Sequence, residues 1–115
     1  MQTIKNLLII ANGQEENKTF IKTCAKAADF ILALDGGADT ALKAGIMPNL
    51  VIGDLDSISQ TAKNKIGKEK LLKVSRQDNT DLEKGLDFAH YFKVPNITII
   101  CAQGGRIDFT LSNFS

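Results

Sequence analysis

Five short apolar runs constrain this chain more than any other feature. They cover residues 7–11, 30–34, 50–52, 71–74 and 97–102. Each is rich in Ile, Leu or Val, and none alternates with polar residues, which is how strands buried on both faces of a sheet read. Amphipathic segments separate them. Residues 15–28 set Phe20, Ile21, Cys24, Ala25 and Ala28 along one stripe, and residues 38–44 stop at Gly45 with Pro48 soon after. Residues 59–66 end at Gly67. Residues 80–92 put Leu82, Leu86, Ala89 and Phe92 on one face and open with Thr80-Asp81-Leu82-Glu83, a capping-box pattern. A last helix is expected to begin near Asp108. Strands and helices in alternation make βαβ units, so the expected fold is a three-layer α/β domain with a doubly wound, mostly parallel sheet. A chain of 115 residues holds one such domain and one modest core.

Charge and composition remove several function classes. Lys and Arg total 14 against 13 Asp and Glu, a formal charge of +1, so nothing in bulk charge favours nucleic acid or an acidic membrane surface. No apolar run approaches the ~20 residues that span a bilayer. The opening MQTIKNLLIIANG fits a strand better than a signal peptide. Cys24 and Cys101 lie far apart inside apolar segments and read as buried free thiols, which places the chain in a reducing cytoplasm. Neither has a Cys or His at ligand spacing, so zinc is not expected.

In a parallel sheet, right-handed crossovers bring the carboxyl ends of the strands to one edge, where ligands bind close to the reversal of strand order. Six of the nine aspartates fall in carboxyl-end segments: Asp35, Asp54, Asp56, Asp78, Asp81 and Asp108. Both arginines, Arg76 and Arg106, fall there too, with Gly13, Gly36, Gly37, Gly53, Gly104 and Gly105. The lysines are scattered through helices and read as solvated surface. Carboxylates gathered at one edge repel and raise one another's pKa, a conflict that a divalent cation relieves. Oxygen-only ligands point to Mg²⁺, which completes its shell with water and phosphate oxygens. Glycines let backbone N–H groups approach an anion, and arginine presents a planar fork to phosphate. Together these residues describe a Mg·nucleotide site for phosphoryl-type transfer.

Each residue also has a plainer reading. Asp54 and Asp56 point the same way if the backbone stays extended, as a metal pair requires, and an Asx turn uses Asp at the same place. Asp81 complements a helix N-terminus and Thr80 caps it. Asp35 before Gly36-Gly37 reads either as a ligand or as a turn. Arg106 and Asp108 read either as phosphate-site residues or as an internal salt bridge. His90 sits beside Tyr91 in a helix and reads as structural or exposed.

Four motifs carry a family resemblance: Asp35-Gly36-Gly37-Ala38-Asp39, Gly53-Asp54-Leu55-Asp56-Ser57, Gln77-Asp78-Asn79-Thr80-Asp81 and Gly104-Gly105-Arg106-Ile107-Asp108. In this order and spacing they resemble the nucleotide-binding catalytic domain of thiamin pyrophosphokinases, over most of the chain. The resemblance implies a Rossmann-like sheet and transfer of a diphosphoryl group from ATP to the thiamin hydroxyl, giving thiamin diphosphate and AMP. It implies that Asp54, Asp56 and Asp81 work around Mg²⁺. It also implies that Asp35, Gly36, Gly37, Gln77, Thr80, Arg106 and Asp108 contribute to the nucleotide and substrate site. Asp56 or Asp81 would align the thiamin hydroxyl or take its proton.

Two departures stand out. Phe109 replaces the His that many members carry after Arg-x-Asp, and Phe neither donates nor accepts a hydrogen bond. Members also add a β-rich C-terminal domain that helps to form the thiamin site, usually across a homodimer. No counterpart follows here, so residues 1–115 are expected to be an ATP-binding catalytic domain truncated at its carboxyl end. Two rivals are weighed against this reading. A nicotinamide-dependent dehydrogenase expects G-x-G-x-x-G after the first strand, where this chain has Ala11-Asn12-Gly13-Gln14-Glu15-Glu16. A non-catalytic nucleotide-binding or interaction fragment would expose a sheet edge that favours self-association.

Overall fold

Branched apolar runs and capped helices build the chain in a regular alternation. The strands are β1 (Asn6–Ile10), β2 (Phe30–Leu34), β3 (Leu50–Gly53), β4 (Leu71–Lys73), β5 (Asn96–Ile100) and β6 (Ile107–Thr110). The helices are α1 (Lys18–Lys26), α2 (Gly37–Lys43), α3 (Gln60–Ile66) and α4 (Asp81–Tyr91), with a 3-10 turn at Lys68–Lys70. The computed structural model describes residues 3–74, 80–103 and 105–110, without the side chain of Phe109.

Side-chain caps decide where three of the helices begin. The Asn17 carboxamide accepts from Thr19 N–H at 2.8 Å and Phe20 N–H at 3.3 Å, which starts α1 at Lys18, inside the expected segment 15–28. Ser59 accepts from Ala62 N–H at 3.1 Å. Thr80 and Glu83 form the reciprocal capping box at α4. Each cap stabilises its helix by about 1 kcal/mol. Gly67, at φ 95°, ends α3 in the left-handed region, where a Cβ would be strained.

The six strands lie in the order β4-β3-β2-β1-β5-β6. β1 to β5 are mutually parallel, and β6 runs antiparallel to β5. Successive strands step outward from β1 to β4, and the chain then recrosses the sheet through α4 to lay β5 on the other side of β1. Each change of direction places its helices on its own face. Leu7, Ile9, Leu32, Leu34, Ile52, Ile97 and Ile99 pack on one face with Ala89 of α4. On the other, Leu8 and Ile10 pack with Ile21 and Cys24 of α1 and Ala41 of α2, and Ala33 and Val51 pack with Ala38 and Ala62. The result is the expected three-layer, doubly wound, mostly parallel α/β architecture.

Two expectations need correction. The last described element is a strand and not a helix: Ile107 and Thr110 bound β6, which pairs Asp108 with Thr98 and Ile107 with Ile99. Apolar and polar residues alternate through Ile107-Asp108-Phe109-Thr110, and that period of two suits the open side of β5. Asp108 therefore sits within a strand and not at a helix start. The run at residues 71–74 is also not buried on both faces. β4 has only β3 beside it, and Leu72 is 50% exposed.

Candidate active site

Three acids come together where β2 and β3 end and α4 begins. Asp35 follows β2, Asp54 follows β3, and Asp81 is the first residue of α4. Gly53 sits between them. A Cβ placed there would lie 3.2 Å from Asp35 Cβ and 3.4 Å from Asp81 Oδ1, and its φ is 140°. Only glycine lets the chain pass between two acids in that conformation. Asp35 and Leu55 are themselves left-handed, at φ 48° and 67°, and Cys101 at the end of β5 is so at 62°. Three of the four non-glycine residues at positive φ among the described residues thus lie at the carboxyl edge of the sheet; the fourth, Lys93, lies between α4 and β5.

Asp35 is buried, and its Oδ1 accepts the Ser57 N–H at 3.1 Å. Its carboxyl also hydrogen-bonds that of Asp54. Burial, then this bond to Asp54, push the Asp35 pKa up to about 6, and the nearby charges of Asp54 and Asp81 add to the rise. Asp54 moves the other way: its Oδ1 accepts the Asp56 N–H at 3.0 Å, and the bond from Asp35 further favours its ionised form. The two acids therefore act as one unit that, below about pH 6, holds a proton on Asp35 and a charge on Asp54. Leu55 turns the chain between Asp54 and Asp56, so the extended backbone that would aim both side chains alike is absent; Asp54 forms an Asx turn instead.

Asp81 has a partner that sequence reading missed. Lys84, expected on the solvated face with the other helix lysines, is buried, with its Nζ 3.3 Å from Asp81 Oδ1. Its charge also reaches Asp54. The i, i+3 spacing from Asp81 and the neighbouring Gly85 were the available signals. A Cβ on Gly85 would meet Leu34 and Ile9 at 3.2 and 3.4 Å, so this face of α4 lies directly on the sheet and carries Lys84 down with it.

The other expected residues serve local structure or lie elsewhere. Gly37 abuts the end of β1, where a Cβ would come within 2.2 Å of the Ile10 carbonyl oxygen. Gly36 lies against the Asn12 side chain. Thr80 caps α4. Asp39 accepts from both the backbone N–H and the hydroxyl of Ser59, which ties α2 to the start of α3. Arg106 Nε donates to Asp108 at 3.0 and 3.2 Å, and the Thr98 hydroxyl donates to Asp108 Oδ1 at 2.8 Å. Thr98, then Arg106, hold the Asp108 carboxyl below its usual range. This trio sits across β5 and β6, with β1 between it and the ends of β2 and β3. Gln77, Asp78, Arg76 and Gly104 lie outside the described residues.

The acid cluster offers only carboxylate oxygens, the donor set of Mg²⁺. Among the described residues no three His, Cys, Asp or Glu side chains are gathered as a ready metal cage. Asp54 and Asp81 instead hold a proton-sharing acid and an ammonium. The described helices include none long and apolar enough to cross a membrane.

Comparison with known proteins agrees with the motifs. Residues 21–115 match the family model described as thiamin pyrophosphokinase, catalytic domain. A thiamine pyrophosphokinase from Bacillus subtilis is 32% identical over 113 residues, covering 96% of this chain and 53% of that protein. A crystal structure of thiamine pyrophosphokinase from Bacillus subtilis superposes with a TM-score of 0.64 at 31% identity, covering 89% of this chain and 49% of that one. The thiamin pyrophosphokinase from Candida albicans gives a TM-score of 0.62 at 27% identity, covering 76% of this chain and 32% of that one. This chain spans about half the length of the curated relative it matches. With its motifs and its sheet in agreement, the chain belongs to the thiamin pyrophosphokinase family, through that family's catalytic domain.

Proposed function

We propose that this chain supplies the nucleotide-binding, group-transferring part of an ATP:thiamin diphosphotransferase. The reaction is attack of the thiamin hydroxyl on the β-phosphorus of ATP, with AMP leaving and thiamin diphosphate formed. The observation that carries this reading is the acid cluster around Gly53, in a chain of this family. Asp35 and Asp54 share one proton below about pH 6, and Asp81 is paired with Lys84. A site arranged in this way carries negative charge that is only partly compensated.

In this reading Asp54, Asp56 and Asp81 would hold Mg²⁺, which supplies charge neutralisation for the phosphate oxygens. Asp54 and Asp81 must then give up their present partners. Asp35, with its pKa near 6, is the acid that changes protonation most readily when the site is occupied. Asp56 or Asp81 orients the thiamin hydroxyl and accepts its proton. Gln77 and Thr80 complete the nucleotide side, and Gly36 and Gly37 let the start of α2 approach the edge. Arg106 and Asp108 belong to the site through the phosphate end of a substrate that reaches across β1. The full-length protein is a cytoplasmic homodimer whose further domain completes the thiamin pocket.

Calorimetric titration with a non-hydrolysable ATP analogue, with and without Mg²⁺ and then with thiamin, tests the proposal. Mg²⁺-dependent binding that tightens with thiamin is expected. Equal binding without Mg²⁺, or NADH binding more tightly than the ATP analogue, overturns it.

A further inference from the structure

Lys84 is the one buried lysine among the described residues. Burial of an ammonium is costly unless it is paired, and its pair is an acid assigned above to the metal. The Nζ stands 3.3 Å from Asp81 Oδ1, and its field also favours the charged form of Asp54. An ammonium so placed does what a cation at this cluster would do. Lys73 also acts on Asp54 through its charge, but it is exposed. Lys84 lines, with Ile52 and Phe88, a groove of about 600 Å³ beside α4, so its side chain has room to redirect its head without leaving the protein.

We propose that Lys84 is an internal counter-cation, a positioning residue that holds Asp81 while the site is empty and exchanges partners on loading. It releases Asp81 to a divalent cation and turns its ammonium to the phosphate oxygens of the nucleotide. The inference rests on the reading of the acid cluster as a Mg·nucleotide site. It adds a consequence which that reading lacks: Lys84 competes with a bare metal ion and cooperates with a metal-bound nucleotide.

The two roles predict opposite signs for one substitution. Lys84→Met keeps the apolar stem and removes the charge. Mn²⁺ alone, followed by electron paramagnetic resonance, should bind this variant roughly tenfold more tightly than the parent chain, because a competing charge has gone. The Mg·ATP analogue, followed by calorimetry, should bind roughly tenfold more weakly. Lys73→Met, which removes an exposed charge, should leave the bare-ion affinity within about twofold. Lys84→Arg should restore nucleotide binding in large part. Should Lys84→Met lose stability, Lys84→Arg still reports: a bare-ion affinity close to that of the parent supports competition by charge. Bare-ion affinity unchanged or weakened in a folded Lys84→Met, or the same gain from Lys73→Met, overturns the proposal while leaving the Mg·nucleotide reading intact. A parent chain that binds neither Mn²⁺ nor the nucleotide overturns both.

Discussion

The buried carboxyl of Asp35 hydrogen-bonds the exposed carboxyl of Asp54 across the ends of β2 and β3, and the pair carries one proton below about pH 6. The Asp35 pKa of about 6 stands above its ordinary value of 3.8. The folded state therefore holds more protons than the unfolded state between these values. Stability contributed by Asp35 is full below the lower value and falls as pH rises towards the higher one. Asp35→Asn mimics the protonated form and retains an oxygen for the Ser57 N–H. The variant should match the parent near pH 4 and exceed it near pH 8 by on the order of 1 kcal/mol, discounted for solvent near the pair. Urea denaturation at both pH values measures this. An identical pH slope in the two proteins would show that Asp35 is not the titrating group.

The same proton competes with a divalent cation. Raising Mg²⁺ should lift the melting temperature more near pH 8 than near pH 5, because ionised Asp35 and Asp54 together offer two charges in place of one. EDTA should reverse the gain. Thermal melts at fixed ionic strength, with Na⁺ balancing Mg²⁺, separate this from screening. A shift independent of pH would place the ion away from the pair.

Three of the glycines at the carboxyl edge, Gly36, Gly37 and Gly105, should respond differently to Ala. At Gly37 the new Cβ would lie 2.2 Å from the Ile10 carbonyl oxygen and 3.1 Å from that of Ala11. Backbone on both sides cannot move aside, so Gly37→Ala should cost about 3 kcal/mol. At Gly36 the obstacle is the Asn12 side chain, which can turn away, and the cost should be under about 1 kcal/mol. Gly105 faces open space but has φ 84°, so Gly105→Ala should cost about 1 kcal/mol through backbone strain alone. Equilibrium unfolding of the three variants gives the ranking, and an equal cost at Gly36 and Gly37 would contradict the packing described.

Much of this was legible because strand burial and caps are local signals. The runs at residues 7–11 and 30–34 became β1 and β2, and Thr80 with Glu83 capped α4 as their spacing required. Asp35, Asp54 and Asp81 converge because their strands are parallel, a property of the pattern as a whole. What failed depended on partners far off in sequence. Asp108 reads as the start of a helix until β5 is there to pair with β6. Lys84 reads as solvated until Gly85 brings α4 onto Leu34 and Ile9. Leu55 gives no local warning that it will take a positive φ and break the extended backbone between Asp54 and Asp56.

Thr98, Asp108 and Arg106 fasten β6 to the sheet, and their coupling can be measured. Thr98→Val and Asp108→Ala should each cost about 1 kcal/mol, and the double variant should cost less than the sum because both remove one hydrogen bond. The bond is 2.8 Å long and links residues directly opposite in the β5–β6 register. Additive costs in urea denaturation would mean that the pair does not interact in solution.

Asp56 separates fold from chemistry most cleanly. Its side chain is exposed, and its one described structural duty, donation of the backbone N–H to Asp54, survives any substitution except proline. Asp56→Asn should therefore leave unfolding free energy within about 0.5 kcal/mol of the parent. If Asp56 holds the metal or aligns the hydroxyl in the proposed reaction, diphosphoryl transfer should fall by at least about a hundredfold. Thiamin diphosphate and AMP formation, followed together by chromatography, gives the rate. Near-normal turnover in a normally folded Asp56→Asn would remove Asp56 from the chemistry and leave Asp54 and Asp81 as the acids to test next.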